Sequence, residues 1–455
     1  MRQARSKSRK KLQVLQLAAV IFFTVSGGPY GIESLFSHAG SHAAILLLLI
    51  TPMLWDIPTI LTVLELNSMM PVNGGYYQWV KRALGIRWAF YEGFWTWLYT
   101  FVDLAVYPVL FVEYLSFFNP QFQVYKVPVC LFIIWSSALL NIMGIVPVGK
   151  ISMILTGLVL APFVLIWTYS FSHSHGAPIA PTLSLKGIGL PAIGMGVITV
   201  MWNFFGWDNS TTYAGEVDKP VRSYIISFVI AFLTVIGVYL ITSLAVLHSG
   251  IDFKALEEKG FPALGIQLGH PWLARLLAIG GMASMVGLFS AVLLSVSRVP
   301  KVMADDGLMP EKLNALHSRF HTPYVSIIFS ALIISLMILR NFDDLIIMDV
   351  TLYGAGLFLE FISLIVLRIK YPKENRPFKI PLKTGGLILM YILSFGIYAL
   401  GLAGAFLESE KTKIPAIAAV LALFSAELVW QIIVRWKLKP PEIKVKNNPR
   451  IRLKR

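Results

Sequence analysis

Twelve stretches of this chain are apolar for about as long as a helix needs to cross a bilayer, roughly 20 residues. They run over 13–36, 43–66, 88–116, 127–145, 147–171, 189–214, 223–248, 272–297, 323–340, 345–368, 384–406 and 412–435. Inside lipid every backbone N–H and C=O must find a partner within the protein, so segments of this length are helices. The longest connections, 172–188, 249–271 and 298–322, leave no room for a soluble domain. Composition agrees: 56% of the 455 residues are hydrophobic and 14% charged, against about a quarter charged in soluble domains. The chain reads as an all-α integral membrane protein of twelve transmembrane helices, solvated by membrane lipid.

The basic residues orient it. With the N-terminus in the cytoplasm, 31 of the 39 Lys and Arg fall in the two tails (1–12 and 436–455) or in connections on the inner side. That bias is the positive-inside signal and puts both termini in the cytoplasm. The net charge of +15 forms no basic face, which excludes nucleic acid as a partner and points to topology and anionic headgroups. The basic start and first apolar run lack an A-x-A-like cleavage site, so they read as an uncleaved first span. A plasma (inner) membrane location is expected. The single cysteine, Cys130, excludes a disulfide within the chain and a multi-cysteine metal site. No metal and no cofactor are expected.

Two spans cannot be continuous rods. The first contains Ser26-Gly27-Gly28-Pro29-Tyr30-Gly31, three Gly and a Pro in six residues. The sixth contains Trp202-Asn203-Phe204-Phe205-Gly206-Trp207-Asp208-Asn209-Ser210, a milder interruption. Unwound backbone at membrane depth survives only where it is buried in protein or lines a cavity. Interruptions at corresponding positions of two halves point to a transporter with inverted repeats. Free N–H groups at a helix end would meet a carboxylate, and free carbonyls an amine or cation.

Ionisable residues within spans are functional candidates by default, and here they are acidic: Glu33, Asp56, Glu65, Glu92, Asp103, Glu113, Asp208, Glu216, Asp349 and Glu360. Glu65, Glu216 and Asp349 fall near span ends, where solvation or pairing with loop Arg and Lys is expected. Asp103 and Asp208 fall deepest, with no Lys or Arg at comparable depth. Carboxylates without partners take up protons or a mobile cation, so H+ is the expected coupling ion and Na+ the alternative. Tyr30, Trp95, Tyr99, Trp202, Phe205 and Trp207 flank the interruptions or the Asp103 span and are placed for cation–π contact with an amine.

Other classes fit less well. No H-E-x-x-H, G-x-S-x-G, P-loop or C-x-x-C is present, so an enzyme is not expected. His173-x-His175 has no acidic companion and reads as an exposed loop. A channel would need a continuous pore, whereas midplane breaks suit an occludable site. The short connections leave no signalling domain for a nutrient sensor.

The segments VSGGPYGIES, NFFGWDNSTTYAGEVDKPVRS and SRVPKVMADDGLMPEKLNALHSRFHTPYVS, in that order, resemble the amino acid/polyamine/organocation (APC) superfamily of permeases over essentially the whole chain. GGPYGIE, DLAVYPVLFVEYL and LYGAGLFLEFISLIVLRIKYPKENRPFKIPL look most like its plant polyamine uptake and L-type amino-acid transporter branch. The resemblance implies five-plus-five inverted repeats, over 13–171 and 189–370, with two further helices over 384–435. It implies a small-molecule amine substrate, amino acid or polyamine, between spans 1 and 6. Gly27, Gly28 and Gly31 match a backbone cradle for a substrate carboxylate. Trp202 matches the gating aromatic of bacterial arginine/agmatine exchangers, Asp208 their acidic residue linked to proton sensing, and Asp103 lies near a polar contact in span 3. The expected substrate contacts are thus Gly27, Gly28, Tyr30, Gly31, Asp103, Trp202, Phe205 and Gly206. Asp208 and Glu33 are the expected coupling groups, Trp202 and Trp207 the gates. Span 8 has Ala291-Val292-Leu293 where those exchangers carry a Trp, and span 5 lacks a mid-span Lys. Proton-coupled symport is the expected mode, exchange the alternative. The Arg298–Asp306 segment reads as a cytoplasmic latch, and the amphipathic run 73–82 as lying along the inner interface.

Overall fold

Helix is the element that lets these apolar runs satisfy their own backbone, and helices make up nearly all regular structure in the described residues of the computed structural model. Those residues are 11–172, 183–338 and 342–435. Most of both basic tails and the His173/His175 pair lie outside them. In chain order the helices are α1 (Val14–Val25), α2 (Glu33–Leu54), α3 (Asp56–Met69), α4 (Gly75–Leu84), α5 (Ile86–Ser116), α6 (Lys126–Met143), α7 (Ile145–Ser172), α8 (Leu190–Phe204) and α9 (Pro220–Ser249). They continue as α10 (Phe253–Lys259), α11 (Pro262–Gln267), α12 (Pro271–Val296), α13 (Arg298–Asp305), α14 (Tyr324–Met337), α15 (Phe342–Lys370), α16 (Thr384–Glu408) and α17 (Glu410–Arg435).

Among the described residues, ten segments, from Ala43–Met69 to Lys413–Arg435, are long and apolar enough to cross a membrane. They coincide with ten of the twelve expected runs. The other two runs hold shorter apolar helices, α1 with 12 residues and α14 with 14. α1 is short because the chain unwinds after Val25 and turns helical again only at Glu33. The new helix then bends at Gly40, whose φ of 64° and ψ of 180° are not helical.

Burial separates an inner set from an outer one. The most apolar stretch of Pro271–Asp305 is 78% buried, that of Lys413–Arg435 17%. Phe132 on α6, Phe395 on α16 and Phe424 and Leu428 on α17 are exposed. So much outward apolar surface suits lipid and not water. At the centre α1 packs on α7, α9 and α12, α8 on α2 and α16, and α5 between α12 and α15.

α4 covers most of the amphipathic run 73–82. Its aromatic face, Tyr76, Tyr77 and Trp79, is fully buried inside the protein, where it packs on α5 and α15. Glu65 and Glu216 have the basic partners that their places suggested. Glu65 is fully buried and accepts from Arg368 and from Ile380 N, with Arg376 Nε at 3.4 Å. Glu216 pairs with Arg298.

Candidate functional site

The first break is built by positive φ. Gly27, Gly28 and Gly31 sit at 64°, 109° and 103°, a region that favours glycine. Space forbids side chains there as well: a Cβ on Gly28 would lie 2.6 Å from Val159 Cγ1, and one on Gly31 2.6 Å from Trp202 Cζ3. The second break follows α8, where Phe205 is extended and Gly206 has φ 101°. A Cβ on Gly206 would lie 2.7 Å from the carbonyl oxygen of Thr24, at the end of α1. The two breaks therefore touch each other.

Side chains from α8, α9 and α12 hold them. The Tyr239 hydroxyl accepts from Ser26 Oγ at 3.1 Å and donates toward Gly28 O at 2.9 Å. It also lies 3.0 Å from Asn203 Oδ1. Ser284 Oγ donates to Gly27 O at 2.6 Å, and Asn203 Nδ2 to Gly31 O at 3.2 Å. Neither Tyr239 nor Ser284 was singled out in the sequence. Each lies on another helix, and chain spacing carries no signal for a contact between helices.

The N–H groups of the cradle are already partnered. Gly27 N donates to Phe22 O at 2.9 Å, Gly28 N to Ser26 Oγ at 3.1 Å, and Gly31 N to Glu33 Oε2 at 2.5 Å. Glu33 thus places a carboxylate of the protein at the start of α2, where an anion is favoured. In this conformation the three N–H groups expected to cradle a substrate carboxylate are taken up within the protein.

The other expected site residues divide into two groups. Trp202 lines a cavity of about 1090 Å³ together with Gly31, Glu33, Thr199, Glu113 and Tyr114. Phe205 stacks on Tyr353 with ring centroids 4.4 Å apart, and Tyr99 meets the same ring edge-on at 5.3 Å. Gly206 N donates to Tyr353 Oη at 3.0 Å, and Tyr353 Oη donates to Asp208 Oδ1 at 2.6 Å. Asp103 accepts from Tyr107 Oη at 2.5 Å. Tyr30 and Trp207 are turned elsewhere. Tyr30 donates to Leu277 O at 2.7 Å and packs among Tyr114, Phe163 and Phe261. Trp207 donates to Asp56 Oδ1 at 3.2 Å and packs on Phe228 and Phe232. It is a fully buried anchor and stands outside the cavity that a gate would close.

Asp349 is a second correction. It is buried, 1% exposed, with Asp103 and Trp202 as its polar neighbours and, among the described residues, no basic partner. Glu92 and Glu360 are equally buried and face Asp208.

Opposite the cavity the protein is closed. Leu12 pairs with the stretch after the second break, through Leu12 N to Glu216 O at 3.2 Å and Asp218 N to Leu12 O at 3.0 Å. Arg298 Nε lies 3.2 Å from Glu216 Oε1. Lys81 Nζ and Tyr77 Oη donate to Asp306 at 2.6 and 2.7 Å. The Arg298–Asp306 segment is thus tied to α4 and to the end of the second break.

Residues 12–425 match the family described as amino acid permease. The polyamine transporter RMV1 of Arabidopsis thaliana is 32% identical over 434 residues, 94% of this chain and 87% of that protein. The polyamine transporter PUT1 of Oryza sativa subsp. japonica is 31% identical over 420 residues, 91% of this chain and 78% of that one. The serine/threonine exchanger SteT of Bacillus subtilis (strain 168) is 23% identical over 341 residues, 71% of this chain and 74% of its own length.

Proposed function

Since the chain belongs to the amino acid permease family, and is with it an integral, multi-pass membrane transporter, we propose that it carries polyamine-type amines by alternating access. The observation that carries this reading is Glu33. A zwitterionic amino acid brings its own carboxylate to the N–H groups of the first break. Here Glu33 accepts from Gly31 N and supplies that negative charge from the protein, so an amine without a carboxylate suffices as substrate. The relatives named polyamine transporters support the same choice.

The cavity lined by Trp202 and the closure around Arg298 and Asp306 support an outward-open state, with the positive-inside bias setting the orientation and both termini cytoplasmic. The substrate would enter from outside, pass Trp202 and settle between the breaks. The repeats over 13–171 and 189–370 would then rock so that the Leu12, Glu216 and Asp306 contacts release, with 384–435 as a flank. We favour H+ symport at a plasma membrane, with Asp208 as the proton carrier. Exchange of one amine for another is the second reading, supported by the exchanger relative.

The test is uptake of labelled spermidine into proteoliposomes, with leucine, arginine, agmatine, putrescine and spermidine as competitors. Saturable uptake blocked by the polyamines and not by leucine is expected. Competition by leucine alone would reject the substrate class. Ohmic current would indicate a channel, and binding without flux a sensor. Uptake that a proton ionophore abolishes in empty liposomes supports symport; uptake that needs an internal amine supports exchange.

A further inference from the structure

On α5, Glu92, Thr96, Tyr99, Asp103 and Tyr107 recur every three or four residues and share one helix face. On α15, Asp349, Tyr353, Gly356 and Glu360 do the same. The two faces meet antiparallel. Asp103 neighbours Asp349, and a Cβ on Gly356 would lie 3.1 Å from Glu92 Oε1. Each helix thus carries two carboxyls 11 residues apart, about 16 Å along the axis at the α-helical rise. Asp208 joins the Glu92–Glu360 end. Between the two ends lie the rings of Tyr99, Tyr353 and Phe205.

Both ends lack a counter-charge. Among the described residues no Lys, Arg or His makes an ion pair with any of the five carboxyls. Both oxygens of Asp349, both of Glu360 and one of Glu92 complete no hydrogen bond. Tyr76 adds an independent sign. Its hydroxyl, fully buried on α4, also completes no hydrogen bond of good geometry, and Thr96, Asp208, Glu92 and Glu360 make up its polar surroundings. Buried carboxylates and a buried hydroxyl acceptor with nothing to accept from suit an incoming ammonium donor.

We propose that Asp103–Asp349 and Asp208–Glu92–Glu360 are two ammonium-binding stations, and that the ligand is a linear polyamine long enough to reach both. This rests on the amine-carrier reading above and deepens it. The methylene chain would lie along Phe205, with the Tyr353 ring swung aside; its hydrogen bond to Asp208 breaks, which frees that carboxylate for the ligand. An extended chain advances about 1.2 Å per bond. With side chains leaning inward, the stations accept amines about 10–16 Å apart, or roughly 8–13 bonds. A four-carbon diamine fills one station only, whereas a triamine or tetraamine fills both.

The experiment is displacement of labelled spermidine from the purified full-length protein in detergent by α,ω-diaminoalkanes of three to twelve carbons, with the matching monoamines as controls. Affinity should rise about tenfold or more between the four-carbon diamine and an optimum at seven to twelve carbons, as one more charge-assisted contact forms. The monoamines should show no such optimum. Asp349→Asn and Glu360→Gln should each flatten the diamine series. A flat wild-type series, a monoamine series that tracks the diamines, or no spermidine binding at all would overturn the proposal, and these outcomes need no variant to fold. Because binding is read without flux, failure here is distinct from failure of the carrier reading, which uptake into liposomes decides.

Discussion

Substituting alanine for Gly206 tests whether contact between the two breaks underlies transport. The added Cβ would stand 2.7 Å from Thr24 O, and ordinary contact starts near 3.4 Å. The obstacle is main chain, so no rotamer change relieves it: α1 and the second break must separate by about 0.7 Å. Alanine at φ 101° adds strain of about 1–3 kcal/mol. The shift also strains the Gly206 N–H to Tyr353 Oη bond of 3.0 Å, worth about 1 kcal/mol. Together these amount to roughly 2–4 kcal/mol, or at least about 30-fold in the population of the state seen here. Gly157→Ala is the control. Gly157 is in the interior of α7 and a Cβ there meets nothing within 4 Å, so a neutral or stabilising effect of under about 1 kcal/mol follows. The assay pairs melting of the purified protein in detergent with initial uptake rates at matched protein content. Gly206→Ala should lower the melting temperature and cut uptake at least about 30-fold, while Gly157→Ala does neither. Wild-type uptake and stability in Gly206→Ala would show that the breaks need not touch.

Gly28→Val should abolish uptake while the protein still inserts, since its Cβ would collide with Val159 at 2.6 Å and φ is 109°; normal uptake would count against the built break. Asp208→Asn should change the pH dependence of spermidine uptake, and an unaltered profile would remove Asp208 from proton coupling. Arg368→Ala should destabilise the protein by about 3–5 kcal/mol, because Glu65 is fully buried against it; detergent melting reads this, and a shift within the error of the measurement would mean that Arg376 alone neutralises Glu65. Glu216→Gln should expose the closed end: with its pair to the buried Arg298 lost, cysteines placed below the second break should react about 5–30-fold faster with an impermeant thiol reagent, from about 1–2 kcal/mol of lost closure. Unchanged reactivity would show that Leu12 and Asp306 close that end without it.

The helices and both breaks were legible because they depend on local properties. Apolar run length marks a membrane helix, and three Gly and a Pro in six residues mark a break whatever surrounds them. Partners were not legible. Asp349 looked like a span-end acid because it lies four positions into a predicted run, yet α15 carries it alongside Asp103 of α5. Trp207 looked like a gate because it borders the break, yet its indole turns to Asp56. One pattern could have been read and was not: the spacing from Glu92 to Tyr107 places five polar or aromatic side chains on one face of a membrane helix. A lipid-facing stripe would not be built that way.

The same reasoning explains why the acids cluster on α5 and α15 while the breaks sit in α1 and α8. An unwound segment offers main-chain dipoles, which are fixed in number and carry no net charge. It can recognise a substrate's shape and one pole of its charge, and in this chain Glu33 already occupies the positive pole at the start of α2. Extra positive charge on a ligand must then be met by side chains. Continuous helices hold these at a set pitch, so the distance between charges is fixed by the number of residues between carboxyls and not by a loop. Moving Asp349 by one helical turn, as in Asp349→Ala with Tyr353→Asp, would shorten the interval on α15 from 11 residues to 7, or about 6 Å, and the preferred diamine should shorten by about five bonds.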